Sequence, residues 1–396
     1  MSKDSILVIN CGSSSLKFAV INPKNEEESI NGIVERLVGN EATITWKMND
    51  KKQTKKLDTS GHDGAIETIV SVLHENNLMD RIKAIGHRVV SGGEKFTTST
   101  LITDDVIQKI EDCCILAPLH NPSHLKGIHA ALTLFPGLIQ AAVFDTAFHQ
   151  TMPAENYLYA IPYSLYKQHG LRRYGAHGIS HQFVSRTAAD MLGLNYKRSS
   201  ILVAHLGNGA SACAVKNGKS LDTTMGLTPL EGLVMGTRSG DIDPNVFSFL
   251  KKQCGYTIEE TTDILNKKSG LLGLSEIDND CRVIENAARE GNERAQLTID
   301  IFCNVLAKKL AGYASELGKI DALVFTGGIG ENSSNIRKNV LKRLSIFGFD
   351  IDEKVNDDTF QGKNGVITKK DSTLAMVVAT NEELMIARDT ESLIPN

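Results

Sequence analysis

A pattern of strand, glycine turn and strand occurs twice in this chain, as ILVINCGSSSLKFAV at residues 6–20 and as ILVAHLGNGASACAV at residues 201–215. In each copy an aliphatic run ends at a polar side chain, Asn10 or His205, and a glycine follows two positions later. Tips made of Gly, Ser and Asn let backbone N–H groups approach an anion, although either tip alone is also compatible with an ordinary hairpin. A repeat of domain size predicts two related lobes, whose facing tips would hold a polyphosphate.

The composition limits the class of protein and its partners. A length of 396 residues predicts about two or three domains, and a hydrophobic content of 41% with 23% charged residues is typical of a soluble protein. The net charge of −4 does not favour nucleic acid or an anionic membrane surface. We expect no signal peptide or membrane-spanning run, and the seven cysteines lack the paired spacing of metal or redox sites. We therefore expect a cytoplasmic protein with small-molecule ligands and no nucleic-acid or membrane partner.

Strand-like and helix-like segments alternate along the chain, which predicts an α/β fold with mixed sheets. Strand-like runs lie at 6–9, 16–21, 42–48, 84–90, 139–144, 201–204, 210–215, 322–325 and 374–378. Apolar stripes at helical spacing lie near residues 66–73 and 301–313. The lysine-rich stretch 47–56 is interpreted as a soluble edge hairpin rather than a nucleic-acid site.

A third glycine turn, TGGIGEN at residues 326–332, follows one strand and precedes an amphipathic run at 336–347. A helix N-terminus after such a turn favours a nucleotide or phosphate site. The segment 207–212 satisfies a loose dinucleotide fingerprint, but it continues as a strand towards a hairpin turn at Asn217-Gly218 instead of opening a helix. No glycine turn has the Walker A spacing.

Charged side chains follow several of the predicted strands. Arg88 and Arg238 lie in glycine-flanked, mostly uncharged segments, which favours bound anions, with structural ion pairs as the alternative. Asp145 and Glu382 offer oxygen ligands for Mg²⁺, although Glu382 also suits the first turn of a helix. His120, His177 and His205 complete this set of candidate polar residues, and the first two are equally compatible with loop capping.

These motifs resemble the acetate kinase family, which belongs to the superfamily of acetate and sugar kinases, Hsp70 and actin. The resemblance covers the whole chain and is carried by NCGSSSLK at 10–17, HRVVSGGEKF at 87–96, APLHNP at 117–122, FDTAFH at 144–149, RYGAHGISH at 173–181, HLGNGAS at 205–211, GTRSGDIDP at 236–244 and TGGIGEN at 326–332. It implies two duplicated actin-like (ribonuclease H-like) lobes with mixed sheets flanked by helices and an active site in the cleft between them. The implied N-terminal lobe consists of residues 1–147 together with residues 382–396. The implied C-terminal lobe consists of residues 148–381 and contains the nucleotide-binding site.

The resemblance also implies a reaction and the residues that perform it. The reaction is reversible, Mg²⁺-dependent, in-line transfer of the ATP γ-phosphoryl group to acetate, giving acetyl phosphate and ADP, with Mn²⁺ as an alternative cation and a homodimer as the assembly. The implied catalytic residues are Arg88, His120, Asp145, His177 and Arg238, and the implied metal-site residues are Asn10, Asp145 and Glu382. The implied nucleotide contacts are Asn10, Lys17, His205, Gly207, Asn208, Gly209, Asp280, Arg282, Gly328, Ile329, Gly330 and Asn332. The implied acyl-site residues are Arg88, Val90, Leu119, Ala176 and Pro229.

The sequence departs from the family pattern at Cys11, Ser91, Ala176 and Gly327. Ala176 replaces an aromatic wall of the acyl pocket and leaves volume for a longer acid, so a propionate or other short-chain carboxylate kinase is the alternative activity. An ATP-dependent switch of the Hsp70 or actin kind is the non-enzymatic alternative, although the paired arginines suit a small acid better.

Overall fold

A computed structural model describes residues 3–37, 41–118 and 120–395. The chain divides into two compact units, Met1–Gln150 with Asn381–Asn396, and Thr151–Thr380. The lobe boundaries expected from the sequence stay predictions. No helix in the described residues combines the length and apolar character needed to cross a membrane.

Strands and helices alternate along the described chain. The strands are β1 Ser5–Cys11, β2 Ser15–Asn22, β3 Glu27–Glu35, β4 Thr43–Met48, β5 Lys51–Lys56, β6 Ile82–Val89, β7 Thr100–Leu101, β8 Ile139–Phe144, β9 Ser200–Leu206, β10 Ala210–Lys216, β11 Lys219–Thr223, β12 Ala322–Thr326, β13 Gly365–Val366 and β14 Ala375–Val377. The helices are α1 Gly61–Glu75, α2 Asp104–Asp112, α3 Asn121–Leu134, α4 Ala154–Tyr157, α5 Tyr163–His169, α6 Gly178–Met191, α7 Asn245–Cys254, α8 Ile258–Lys267, α9 Gly270–Ser275, α10 Cys281–Arg289, α11 Glu293–Leu317, α12 Gly327–Asn332, α13 Ser334–Arg343, α14 Glu353–Asp358 and α15 Glu382–Ser392. Short 3₁₀ turns lie at Met79–Arg81, Cys113–Ile115, Phe148–Thr151, Tyr196–Arg198 and Ser345–Phe347.

The first unit is built on one mixed sheet with strand order β5-β4-β3-β2-β1-β6-β8-β7. The hairpin β1–β2 is antiparallel, whereas β1, β6 and β8 run parallel. On one face Ile85 packs with apolar residues of α1 and α3. On the other face α15 crosses β6 so closely that a Cβ on Gly86 would lie 2.8 Å from Cγ2 of Ile386. The sheet is therefore covered by helices on both faces, and the carboxyl ends of β1, β6 and β8 share one edge.

The second unit repeats this arrangement in the order β11-β10-β9-β12-β14-β13. Its hairpin β9–β10 is antiparallel, and β9, β12 and β14 run parallel. The core of this unit packs the apolar side chains of α11 against β9, β10 and β12, and these include Phe302, Leu306 and Leu310. Both units thus place an antiparallel hairpin beside two further parallel strands. The predicted α/β fold with duplicated mixed sheets is confirmed.

The TGGIGEN segment differs from the predicted turn, because Gly327 opens the short helix α12 directly after β12. Gly327 has a φ of 75°, the left-handed region, and its N–H donates to Oε1 of Glu331 at 2.9 Å. A side chain here would be strained, so a glycine at this position is structurally required. The helix predicted over 336–347 is also shorter than expected: α13 ends at Arg343, and a 3₁₀ turn follows.

Candidate active site

Four polar side chains of the first unit meet at the shared carboxyl edge of its parallel strands. Asn10 lies near the end of β1, Arg88 near the end of β6, and Asp145 directly after β8. Nη2 of Arg88 lies 2.5 Å from Oδ2 of Asp145, and Nη1 donates to Oδ1 of Asn10 at 3.3 Å. Oε2 of Glu382 lies 3.8 Å from Nε of Arg88. One guanidinium is thereby surrounded by two carboxylates and an amide oxygen.

The charges of this cluster stabilise one another. Burial would lower the pKa of Arg88, but the carboxylates of Asp145 and Glu382 outweigh that effect and raise it, so the guanidinium stays charged. Burial raises the pKa of Glu382, with Arg88 acting in the opposite direction. The Asp145 side chain is only 1% exposed, so its buried charge depends on this pairing.

Glu382 is placed by the first turn of α15. The side chain of Asn381 accepts a hydrogen bond from the Leu384 N–H at 2.9 Å and caps the helix. Glu382 therefore has the favourable first-turn position considered above and also lies beside Arg88. The interpretation of Glu382 as a favourable first-turn charge is therefore compatible with its interpretation as an oxygen ligand for Mg²⁺.

The other candidate residues of the first unit are Lys17, His120, Val90 and Leu119. Lys17 pairs with Asn10 in the β1–β2 ladder, but its side chain lines a separate cavity of about 520 Å³ beside Trp46 and Glu383. His120 occupies the N-cap position of α3 without a side-chain capping bond, and Val90 is buried just after β6. Leu119 lies outside the described residues.

In the second unit, His177 and Arg238 converge on the glycine tip between β9 and β10. A Cβ placed on Gly209 would lie 3.4 Å from Nε2 of His177 and 3.7 Å from Nη1 of Arg238. The ring of His205 stacks on that of His177 with centroids 4.4 Å apart. Two imidazoles and a guanidinium therefore surround one backbone tip, a cationic and donor-rich arrangement suited to an anion.

Arg238 has no carboxylate partner within 4 Å among the residues that the structure describes. Its Nη1 donates to the carbonyl oxygen of Pro229 at 3.2 Å and lies 3.8 Å from Sδ of Met235. Burial lowers its pKa. Partial burial of a guanidinium without a counter-charge is unfavourable, so this side chain favours a bound anion over a structural ion pair.

A cavity of about 710 Å³ opens beside the same tip. Seven of its lining residues were predicted as nucleotide contacts: Gly207, Asn208, Asp280, Arg282, Gly328, Ile329 and Asn332. Six were not: Asn279, Cys281, Glu285, Ser333, Phe360 and Gln361. The predicted contacts Asn10, Lys17, His205, Gly209 and Gly330 do not line it. Its size and its mixed polar and apolar walls suit a nucleoside.

Behind this cavity lies a buried arginine that the sequence reasoning missed. Arg337 is fully buried, and its guanidinium donates to carbonyl oxygens of Gly330 and Glu331 in α12 at 3.0 and 2.9 Å. It also donates to Oδ1 and the carbonyl of Asn356 at 2.8 and 2.7 Å and to the carbonyl of Thr359 at 2.8 Å. These bonds join α12 to the segment before Phe360, so one side chain fixes two walls of the cavity. Its position in an amphipathic helix gave no signal of this role.

Ala176 and Pro229 belong to the second unit. Ala176 is 3% exposed and packs in the core of this unit, directly before His177. Pro229 is partly buried in the loop that carries Arg238.

The known proteins to which this chain is similar match it over nearly the full length of both chains. The chain is 55% identical to an acetate kinase of Shewanella sp. (strain W3-18-1), over all of this chain and 99% of that protein. Its structure is similar to a propionate kinase from Francisella tularensis, with a TM-score of 0.95, 48% identity and complete coverage of both chains. A crystal structure of Porphyromonas gingivalis acetate kinase has a TM-score of 0.94 and 45% identity, and covers 99% of this chain and 100% of that one.

The fold, the glycine tips and these relatives define the class of the protein as a phosphotransferase with a carboxyl acceptor, built on the actin-like ATPase fold. The sequence profile of the acetokinase family matches residues 5–388, and the chain belongs to that family. The resemblance stated from the motifs is confirmed. The non-enzymatic alternative, an ATP-dependent switch protein, is not supported.

Proposed function

We propose that the chain transfers the γ-phosphoryl group of ATP to the carboxylate of acetate, giving acetyl phosphate and ADP, reversibly and by direct in-line displacement. The observation that carries this proposal is Arg238, a partly buried guanidinium with no carboxylate partner among the described residues, beside His177 at a glycine tip. Unlike Arg337, whose guanidinium has five carbonyl or amide acceptors, Arg238 has one carbonyl acceptor and one sulfur contact, and a transferring phosphoryl group would supply further acceptors.

The acceptor needs no activation by a base. A carboxylic acid with a pKa of about 4 to 5 is already ionised at neutral pH, so the nucleophile exists in solution. The enzyme must instead bring two anions together. In our proposal Arg88 and Arg238 bind the acceptor carboxylate and the moving phosphoryl group, and His120 lies near the acyl site.

The transition state of phosphoryl transfer spreads charge over the equatorial oxygens of the transferred group. Arg88, Arg238 and His177 would donate hydrogen bonds to those oxygens. Fixed donors lower the barrier without needing to reorganise during the reaction. This role requires positioning and charge rather than proton transfer.

The nucleotide is assigned to the cavity of the second unit. Asp280 and Arg282 form an ion pair of 2.5 Å at its rim, and Gly328 and Ile329 supply a wall that a base would contact. The tip residues Gly207, Asn208 and Gly209, with His205, would bind the phosphates through N–H donors. Gly330 supports this wall through its carbonyl bond to Arg337.

The oxygen atoms around Arg88 fit a divalent cation. Asn10, Asp145 and Glu382 offer the hard oxygen donors that Mg²⁺ and Mn²⁺ prefer. No three His, Cys, Asp or Glu side chains of the described residues form a metal-binding group by themselves. Mg²⁺ typically completes its coordination shell with water and with phosphate oxygens of the substrate. When bound, it would neutralise negative charge on the nucleotide.

The length of the carboxylic acid that the enzyme accepts is also part of the proposal. Ala176 is a small residue directly before His177, and the similarity to a propionate kinase supports use of a three-carbon acid alongside acetate. Val90, Leu119 and Pro229 are the other proposed walls of that pocket. A homodimer remains a prediction from the family resemblance, and a cytoplasmic location remains a prediction from the composition.

The test is a coupled assay of carboxylate-dependent ADP formation by the wild-type protein and Arg238→Ala. Losing an arginine that contacts the moving phosphoryl group should lower kcat by a factor on the order of 10³ to 10⁵. Arg198→Ala, which alters an arginine of a 3₁₀ turn in the same unit, is the matched control and should retain wild-type turnover. Near wild-type turnover of Arg238→Ala would contradict the assigned role.

A further inference from the structure

Two stacked imidazoles in the second unit are each held by a buried serine. Nδ1 of His177 lies 2.9 Å from Oγ of Ser211, and Nδ1 of His205 lies 2.8 Å from Oγ of Ser180. Both serines are fully buried. Ser211 comes from β10 and Ser180 from α6, so two different elements support the two rings.

Each serine has a second polar partner on its other side. Oγ of Ser211 lies 2.7 Å from Nε2 of His181, one helical turn after His177. Oγ of Ser180 lies 2.8 Å from Oγ1 of Thr380. A hydroxyl carries one proton, so a serine that accepts from its outer partner donates its own proton inward to the Nδ1 atom. The two arrangements are therefore parallel chains of hydrogen bonds that end on an imidazole.

The opposite edges of both rings face the glycine tip. A Cβ on Gly209 would lie 3.4 Å from Nε2 of His177, and a Cβ on Gly207 would lie 4.0 Å from Nε2 of His205. A neutral imidazole that accepts at Nδ1 carries its proton on Nε2. Both N–H donors would then be directed at the tip where we place the phosphates.

We propose that Ser211 and Ser180 are positioning residues that hold His177 and His205 in the Nε2-protonated tautomer, with both donors directed at the phosphates. This inference rests on the phosphoryl-transfer function proposed above. It assigns the two serines no contact with substrate. In this arrangement His181 and Thr380 donate to the two serines from the outer side.

The backbone at His177 shows why such support is needed. His177 has a φ of 58° and a ψ of 19°, the left-handed conformation, at the N-cap position of α6. A non-glycine residue persists there only when its surroundings hold it. The hydrogen bond to Ser211 and the stacking on His205 are two such restraints. For metal-ligating histidines in other proteins, removing the hydrogen-bond partner behind the ring typically changes metal affinity or activity by about 10- to 100-fold.

The test is a pair of double-mutant cycles in the full-length protein. We expect Ser211→Ala to lower kcat about 10-fold, the loss of one hydrogen bond of about 1.4 kcal/mol, and to have no further effect in a His177→Ala background. We expect Ser180→Ala to raise the KM for ATP about 10-fold, with no further effect in a His205→Ala background. Ser185→Ala is the matched control, because Ser185 is a buried serine of α6 that bonds to Tyr196 at 3.0 Å, outside these chains. It should leave both constants unchanged.

The cycles separate failure of this inference from failure of the proposed function. If Ser211→Ala lowers kcat by the same factor with and without His177, the serine does not act through that ring and the inference is wrong. If His177→Ala itself leaves kcat unchanged, the proposed role of His177 in phosphoryl transfer is wrong instead.

A spectroscopic measurement keeps the inference testable if a variant does not fold. Imidazole ¹⁵N spectra of the histidine-labelled wild-type protein should show Nδ1 unprotonated and Nε2 protonated for neutral His177 and His205. The Ser211→Ala protein should show a mixture of tautomers at His177. A wild-type His177 protonated on Nδ1 when neutral would overturn the inference.

Discussion

Arg88 and Asp145 form a two-pronged ion pair across adjacent parallel strands, with 2.5 Å between Nη2 and Oδ2 and 3.4 Å between Nε and Oδ1. Asp145 is 1% exposed and Arg88 is 18% exposed, so the carboxylate is buried behind a guanidinium that reaches solvent. Two parallel hydrogen bonds fix the plane of an arginine as well as its position. Asp145 therefore orients Arg88 in addition to being a proposed cation ligand.

Replacing this arginine should remove most of the catalytic power. We expect Arg88→Ala to lower kcat by a factor on the order of 10³ to 10⁵, because a donor to the transferring group is lost and Asp145 loses its ion pair with Arg88. Steady-state kinetics with saturating ATP and acetate provide the measurement. Arg81→Ala is the control, since Arg81 is also partly buried in the first unit but pairs with Asp4 at 3.4 Å. A tenth or more of wild-type turnover in Arg88→Ala would contradict the assignment.

The small side chain at Ala176 should control acyl-chain preference. We expect Ala176→Phe to lower kcat/KM for propionate relative to acetate about 10-fold or more, because one methylene in an apolar pocket is worth about 1–3 kcal/mol. The measurement compares kcat/KM for acetate, propionate and butyrate in both proteins. Ala188→Val, a substitution at another buried alanine in the same unit, controls for general effects of added volume. An unchanged ratio of propionate to acetate would refute the pocket assignment.

Acid should destabilise the first unit through His87. Burial lowers the pKa of His87 to about 4, against the opposing effect of its 2.8 Å bond to Gln140. The unfolded chain, with an ordinary histidine pKa of about 6.5, then binds the proton more tightly. The contribution of this group to stability is complete above pH 6.5 and falls as the pH drops towards 4, by about 3 kcal/mol in total.

The urea midpoint at pH 7.5 and at pH 5 measures this effect. We expect His87→Gln to show a smaller decrease between these pH values than the wild-type protein, because Gln does not titrate. His169→Gln, at an exposed histidine, should behave like wild type. If His87→Gln loses as much stability on acidification as the wild-type protein, His87 is not the cause.

Thiol reactivity should be confined to one cysteine. Cys254 is exposed, whereas burial raises the pKa of Cys11 to about 12, of Cys303 to about 12 and of Cys113 to about 11. Thiolates are the reactive species, so a disulfide reagent under native conditions should modify one thiol rapidly. Cys254→Ser should abolish the fast phase. A fast phase that persists in this variant would show that a second thiol, such as the partly exposed Cys114, reacts as quickly and would contradict the prediction.

The fold was predictable because its main signals are local. The two hairpins at 6–20 and 201–215, the stripes now seen in α1 and α11, and the Asn217-Gly218 turn depend on periodicity and turn chemistry within short segments. The strand β3 was missed, because its residues Glu27–Glu35 are largely polar and partly exposed. Tertiary pairing with β2 and β4, which no local pattern encodes, makes it a strand.

The candidate site was predictable only where residues follow strand ends or match family motifs. Arg88, Asp145 and Asn10 were found in this way, and the structure brings them together with Glu382. Ser211 was quoted within a motif but given no role, because its bonds to His177 and His181 join β10 to α6. The spacing of His177 and His181 by one helical turn was the only available signal.

The most direct measurement of the central claim is the stoichiometry of acyl phosphate formation. With ATP, Mg²⁺, acetate and hydroxylamine as a trap, each ADP formed by the wild-type protein should be matched by one acetyl hydroxamate, and both products should require acetate. ADP formation that proceeds without acetate, or without hydroxamate, would show that the phosphoryl group goes to water and would contradict transfer to a carboxylate.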